Sequence, residues 1–376
     1  MSGETEAPRK LINKVIRMTK EWLMLDAMQG TRNWLGKHAG IQSGERVLVL
    51  GTTRSETDVI NLVAAVCREL GAEVTISIIE HSDLPHPGPG KIMAEAFKAT
   101  DVVLRVGHVM CFHDAMTQTA LLDYGMRMSA LSPPGNMELL ASPAARFPLD
   151  LFYLLAYKVY QQVRAGSVIR VTDPKGTDIT ARYTGEDVGG EQWVWDPVRS
   201  TVPGDAPGTF PPGVCGLLPE PGSGNGVLLF DGYVGMGRLK EPIKLTIENG
   251  WCTRIDGGSE ARLLKNITKG VENVMYFTEL MWGLNPKTNA DIDVKPMALD
   301  AERHAGILHA AIGNSTGMGG KVYSKLHLDG LIEWPTVYID GVELIKDGRL
   351  VALEDPEIIE AAREYGDPAK VLADIR

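Results

Sequence analysis

Histidines and carboxylates crowd one part of the chain in a pattern that could hold a metal ion. His304, His309 and His327 fall in one short stretch, interleaved with Asp300, Glu302 and Asp329, and Glu279 lies just upstream in Thr278-Glu-Leu-Met-Trp-Gly-Leu-Asn-Pro286. In His327-Leu-Asp329 the imidazole and the carboxylate are two positions apart, so on a β-strand both project from one face. Mixed nitrogen and oxygen donors of this kind suit Fe, Mn and Zn. Taken alone, the triplet also reads as a surface pair or a hydrogen-bonded structural histidine. His309 weakens that plainer reading. It sits among small and apolar residues in Leu308-His-Ala-Ala-Ile-Gly313, where a buried imidazole needs a polar partner, and a metal is one such partner.

Two further segments could serve a reaction. Gly313-Asn-Ser-Thr-Gly-Met-Gly-Gly320 lies between His309 and His327 and either lets backbone approach a ligand or simply makes tight turns. Ser315, Thr316 and Lys321 are the residues near it that could orient a substrate; an exposed loop is the alternative. Gly107-His-Val-Met-Cys-Phe-His-Asp114 follows a predicted strand, at the end where α/β folds bind ligands. There His113 is either a general base or only the start of a helix.

The elements that must position these residues change character along the chain. Residues 8–28 carry apolar side chains at helical spacing. Strands are expected at 46–50, 72–79, 101–106 and 126–131. Helices are expected at 55–70, with Ser55 as N-cap and Gly71 as stop, and at 91–100, 114–124 and 150–163. Such alternation predicts a doubly wound parallel sheet. Beyond Ser132-Pro-Pro-Gly135 and the last of these helices the pattern becomes β-rich, with hairpin signals at 168–183 and 226–256 and a Pro/Gly-rich run over 196–226. The expected organisation is therefore an N-terminal α/β domain (1–165) and a mixed, β-rich α+β metal-binding catalytic domain (166–376). A dinucleotide site is disfavoured, because the first strand ends in Gly51-Thr-Thr-Arg with one glycine where three are wanted, and Gly235-Met-Gly237 lacks a strand–helix setting.

Composition narrows the partners. The chain has 376 residues with 38 Lys+Arg against 48 Asp+Glu, a net charge of −10. That balance speaks against nucleic acid and against an anionic membrane surface, both of which need a basic face. Cys67, Cys111, Cys215 and Cys252 form no CxxC pair, so reduced thiols are expected rather than a disulfide framework. The opening MSGETEAPRK has no apolar signal region, and no run is long enough to span a bilayer. A cytoplasmic location follows as the expectation, with a small-molecule substrate.

Read in order, these pieces resemble a known clan, best over 168–350. The shared run is Lys175-Gly-Thr-Asp178, Glu279, Trp282-Gly-Leu-Asn-Pro286, Leu308-His-Ala-Ala-Ile-Gly313, Gly319-Gly320, His327-Leu-Asp329 and Asp340-Gly341. It is similar to the aminopeptidase T/S metallopeptidases and to their relative, the Fe(II)-dependent 2,5-dihydroxypyridine 5,6-dioxygenase. The peptidase resemblance implies two metals, with Glu279, His309, His327 and Asp329 among the ligands. It also implies a first glutamate where this chain has Val214, which cannot ligate. The dioxygenase has an apolar residue there too, and a single iron held by two histidines and an aspartate at the positions of Glu279, His327 and Asp329. Glu279 thus replaces one histidine, and His309 could supply a second imidazole. Gly257-Gly-Ser-Glu-Ala261 and Trp282-Gly-Leu resemble the dioxygenase closely, with Trp282 a candidate substrate contact, and His113 matches its acid/base histidine. The implied activity is Fe(II)-dependent ring-opening dioxygenation of a hydroxylated N-heteroaromatic such as a dihydroxypyridine, with His113 and Glu279 as catalytic groups. The alternative is a metal-dependent hydrolase, an aminopeptidase or cyclic amidase, using Zn or Mn. A non-catalytic binding protein on the same scaffold is the third reading. A homodimer or higher homo-oligomer is implied in either enzyme case.

Overall fold

Arg46-Val-Leu-Val-Leu50 has no polar interruption after its first residue, the pattern of a strand covered on both faces. In the computed structural model, which describes residues 22–82, 90–107, 115–184, 208–233, 237–290, 301–316 and 320–374, it is β1 (Arg46–Thr52) and is buried over all but its first residue. The described residues fall into two compact units. One draws on 1–111, 119–147 and 201–211, the other on 112–118, 148–200 and 212–376.

The first unit is built on a parallel sheet. From β1 the chain runs through α1 (Thr57–Glu69), β2 (Glu73–Ile79), α2 (Gly90–Lys98), β3 (Val102–Val106), α3 (Ala115–Asp123) and β4 (Arg127–Leu131). The strand order is β2-β1-β3-β4-β7, with every pairing parallel. Four of these strands match the expected positions. The fifth, β7 (Gly208–Phe210), lies in the Pro/Gly-rich run and joins the edge of β4 after the chain has passed through the second unit. A three-residue strand carries too little periodicity to be seen in a sequence. The opening helix is present over the described residues 22–32 and continues as a π-helical turn, Asn33–His38. Trp34 from that turn donates to Ser129 Oγ (2.8 Å) and stacks on Phe210. Ser55 does not cap α1. Glu56 takes the N-cap position, and the Ser55 hydroxyl donates instead to Val106 O (2.7 Å), tying β1 to β3.

The second unit is an antiparallel sheet with the path β17-β16-β15-β5-β6-β9-β14-β13-β12-β8, and with β10 and β11 added beside β9. Its strands are β5 (Val168–Thr172), β6 (Asp178–Arg182), β8 (Val214–Leu217), β9 (Asn225–Tyr233), β10 (Gly237–Glu248), β11 (Trp251–Asp256), β12 (Phe277–Gly283), β13 (Leu308–Gly313), β14 (His327–Ile332), β15 (Thr336–Ile339), β16 (Val342–Lys346) and β17 (Arg349–Leu350). The helix α4 (Leu149–Arg164) belongs here too. Lys158 on α4 pairs with Asp355 (3.3 Å) and Glu357 (2.6 Å) at the start of the helix Pro356–Ala362. Compared with one boundary near residue 165, the chain changes unit before α4 and returns to the first unit for β7. Cys67, Cys215 and Cys252 are buried, and Cys111 lies outside the described residues. Among the described residues no helix is long and apolar enough to cross a membrane.

One glycine lets β14 lie close against β9. Gly330 on β14 pairs with Tyr233 on β9, and a Cβ added there would lie 2.0 Å from the Phe230 ring. Phe230 is almost fully buried, so the ring has nowhere to retreat. Gly330→Ala is expected to cost about 2 kcal/mol through overpacking, read as a lower midpoint in chemical denaturation. Wild-type stability in this variant would show that β14 is free to shift.

Candidate metal centre

The side chains of a sheet residue and its cross-strand partner share a face, and so do residues two apart on one strand. In the described register Glu279 on β12 pairs with Ala311 on β13, and Ala311 pairs with Asp329 on β14. His309 and His327 lie two residues from Ala311 and Asp329, so Glu279, His309, His327 and Asp329 all project from one side of three adjacent strands. The opposite side carries Leu280, Trp282, Leu308, Ala310, Ile312, Leu328 and Ile332, all buried. Alanine at the middle position matters. It leaves the space above β13 open, so that the two carboxylates can lean toward each other.

Glu279, His327 and Asp329 can each offer one ligand atom, and those atoms lie within 4.8 Å of one another. His327 Nε2 is 3.0 Å from Asp329 Oδ1 and 3.5 Å from Glu279 Oε1. His309 Nε2 is 3.4 Å from the same Glu279 oxygen. On its other side the His327 ring places Nδ1 2.6 Å from Asn314 O. A carbonyl only accepts, so Nδ1 must carry the hydrogen, and Nε2 is directed at the two acids. Glu279 Oε2 and His309 Nδ1 are buried with no hydrogen-bond partner among the described residues.

The charges are strongly coupled. Burial raises the Glu279 carboxyl, but the imidazoles of His327 and His309 outweigh it and hold the group well below the usual carboxylate range. Burial lowers His327, yet Asp329 and Glu279 hold it well above its ordinary value, and His309 is raised by Glu279, Glu302 and Asp329 against the same burial penalty. Two acids with a neutral imidazole between them carry excess negative charge in a poorly solvated place. Only a proton or a metal cation can balance it. The donor set, with Nε2 and carboxylate oxygens converging and Glu279 Oε2 unengaged, fits a metal ion.

The structure brings Glu279, His327 and Asp329 together and sets His309 beside Glu279 but outside the group that can converge on one ion. Val214 pairs with Gly283, on the same face as Glu279, so the sheet presents there an aliphatic side chain that cannot ligate a metal. Trp282 alternates to the other face and is fully buried, which removes it from the surface that holds the centre. Ser315 is buried, and its hydroxyl is spent on the loop: it accepts from Val322 N (3.2 Å) and donates to Val322 O (3.4 Å). Thr316 donates to Asn314 Oδ1 (3.0 Å), and Lys321 is exposed. His113 lies outside the described residues. His304 belongs elsewhere, with Nδ1 on Thr288 O and Nε2 on Asp374. Sequence reasoning missed Asn314, whose role is played by a backbone carbonyl that any residue possesses, and Ala311, whose contribution is its small size. It treated Glu302 as one of several interleaved acids. Glu302 is buried beside Arg303 (3.1 Å), and burial raises its carboxyl, with the charges of Glu279 and Asp329 adding to the effect.

The fold is thus a parallel α/β unit joined to an antiparallel unit that gathers one imidazole and two carboxylates able to hold a metal ion. Two solved structures share the fold. The 2,5-dihydroxypyridine dioxygenase of Pseudomonas putida KT2440 aligns over 88% of this chain and 98% of its own, with a TM-score of 0.72 at 22% identity. AmpT of Thermus thermophilus aligns over 87% and 99%, with a TM-score of 0.63 at 16% identity. A curated 2,5-dihydroxypyridine 5,6-dioxygenase from Pseudomonas putida is 30% identical over 167 residues, which is 40% of this chain and 47% of that relative. The match therefore spans about half of the relative's length. Residues 32–352 match the family model for NicX, 2,5-dihydroxypyridine 5,6-dioxygenase, and the chain belongs to that family.

Two outcomes are expected. Ala311→Leu places a branched side chain between Glu279 and Asp329, so the variant should keep its circular dichroism spectrum and lose bound metal on elemental analysis. Metal must also displace the Nε2 proton of His327, whose pKa is raised above 6.5. Affinity for Mn(II), measured by titration, should therefore rise about tenfold per pH unit below that raised value and level off above it. In the metal-free protein the sign reverses. The imidazolium's stabilisation is full below 6.5 and fades as pH rises through the folded value.

Proposed function

We propose that this chain is an iron(II)-dependent dioxygenase that opens the ring of a hydroxylated N-heteroaromatic of the dihydroxypyridine class. The observation that carries the reading is the convergence of Glu279, His327 and Asp329 within 4.8 Å on one face of β12–β14. Family membership supplies the reaction class. Glu279, His327 and Asp329 would hold the metal, which when bound supplies the redox chemistry that lets dioxygen react with the ring. The hydrogen bond from His327 Nδ1 to Asn314 O keeps Nε2 turned toward the acids. Asp329 is the most exposed of the three, with 18% of its side chain accessible against 3% for Glu279, so substrate reaches the centre from the β14 side. Burial raises the Glu302 carboxyl, which lies within electrostatic reach of His309, Asp329 and Glu279, and His113 is the proposed acid/base group for a ring hydroxyl.

One observation favours a second reading, a metal hydrolase. His309 stands 3.4 Å from Glu279 on the same face, and together they could begin a second ion site of the kind that activates water. Val214 on that face argues for one ion.

Elemental analysis of anaerobically purified protein should find one iron per chain, and oxygen uptake should track consumption of a dihydroxypyridine one to one. His327→Ala should lose the metal and lower turnover by more than about a hundredfold. Two ions per chain together with anaerobic amide cleavage would replace the dioxygenase with the hydrolase.

A further inference from the structure

The turn that carries Glu302 is held from its far side. Ala301–Arg303 is a single 3-10 turn, and His304 follows it fully buried. Its Nδ1 lies 2.8 Å from Thr288 O, and its Nε2 lies 2.8 Å from Asp374 Oδ1. A carbonyl oxygen accepts, so Nδ1 donates to Thr288, which leaves Nε2 facing the Asp374 carboxyl group. Lys287 grips the same segment, donating Nζ to Lys370 O (2.8 Å) and Ala373 O (2.6 Å). Residues 370–374 are thus clamped between Lys287 and His304.

The same turn leads directly into the strand that carries His309. Ala305 N donates to Asn285 O (3.1 Å), Gly306 N to Gly283 O (3.2 Å) and Ile307 N to His304 O (3.0 Å), and β13 begins one residue later. Gly283 closes β12, the strand of Glu279. A shift of the turn therefore moves Glu302 and the entry to β13 together.

We propose that His304 and Asp374 are positioning residues, and that their contact seats residues 370–374 as a strap fixing the turn that carries Glu302 and leads into β13. The strap acts through the turn and touches neither the ligand group nor the substrate. It stands whatever the substrate proves to be.

The test uses the full chain and three variants, Asp374→Ala, Asp374→Glu and Lys370→Ala. Strap release in Asp374→Ala should speed hydrogen exchange at Ala305, Gly306 and Ile307 about tenfold. It should also shift the ring 15N resonances of both His304 and His309. Turnover on a dihydroxypyridine should fall severalfold in kcat with KM and metal content little changed. Asp374→Glu should restore all of these, and Lys370→Ala, which contributes only a backbone carbonyl, should alter none. Unchanged exchange and ring spectra in Asp374→Ala would overturn the proposal. So would faster exchange with the His309 resonances unmoved, which would leave the contact merely structural, or failure of Asp374→Glu to restore them. If the wild-type protein opens no pyridine ring, the functional reading fails, while exchange and ring spectra still decide the strap.

Discussion

The candidate metal centre depends on one electrostatic constraint: two carboxylates and an imidazole converge where little water reaches, so the charges of Glu279 and His327 are held by their neighbours. Glu279 is buried, His327 nearly so, and the Nδ1–H of His327 is committed to a backbone carbonyl. Nε2 is then the His327 nitrogen that faces the acids. A cation at this site would gain two oxygens and a nitrogen already in place, so most of the ordering cost would be met by folding.

That arrangement is possible because of sheet geometry. Three antiparallel strands put Glu279, Ala311 and Asp329 in one cross-strand row, with His309 and His327 one pleat away. The row works because its middle member is small, and because Gly330 lets β14 lie close against Phe230 on β9. Small residues thus do as much for the centre as the ligands do. The strand that carries Val214 completes the same face with an apolar residue, which sets this centre apart from one that needs a further carboxylate.

Much of the fold was legible in the chain. Aliphatic-rich runs at 46–50 and 101–106, alternating with amphipathic segments, announce buried parallel strands and their crossover helices, because burial on both faces favours such a composition, with the fully buried Arg105 as an exception. The strand β7 was not legible, since three residues in a Pro/Gly-rich stretch gain their pairing only from the β4 edge that the rest of the unit has already formed. Ser55 shows the same limit on a smaller scale: its type suits a cap, yet its hydroxyl accepts from Thr52 N and donates to Val106 O instead.

The site divides in the same way. His327-Leu-Asp329 is readable by itself, because a period of two is a property of any strand and puts both groups on one side. Small neighbours around His309 likewise mark a buried imidazole. Nothing local, however, places Glu279 beside residues 30 to 50 positions away. Only the β12–β13–β14 register does that, and the same register turns Trp282 away into the core. Residue type determined which groups could bind a metal and on which strand face each would lie. Tertiary structure decided which of them meet, because convergence within a few ångströms is set by strand order, register and the small side chains between.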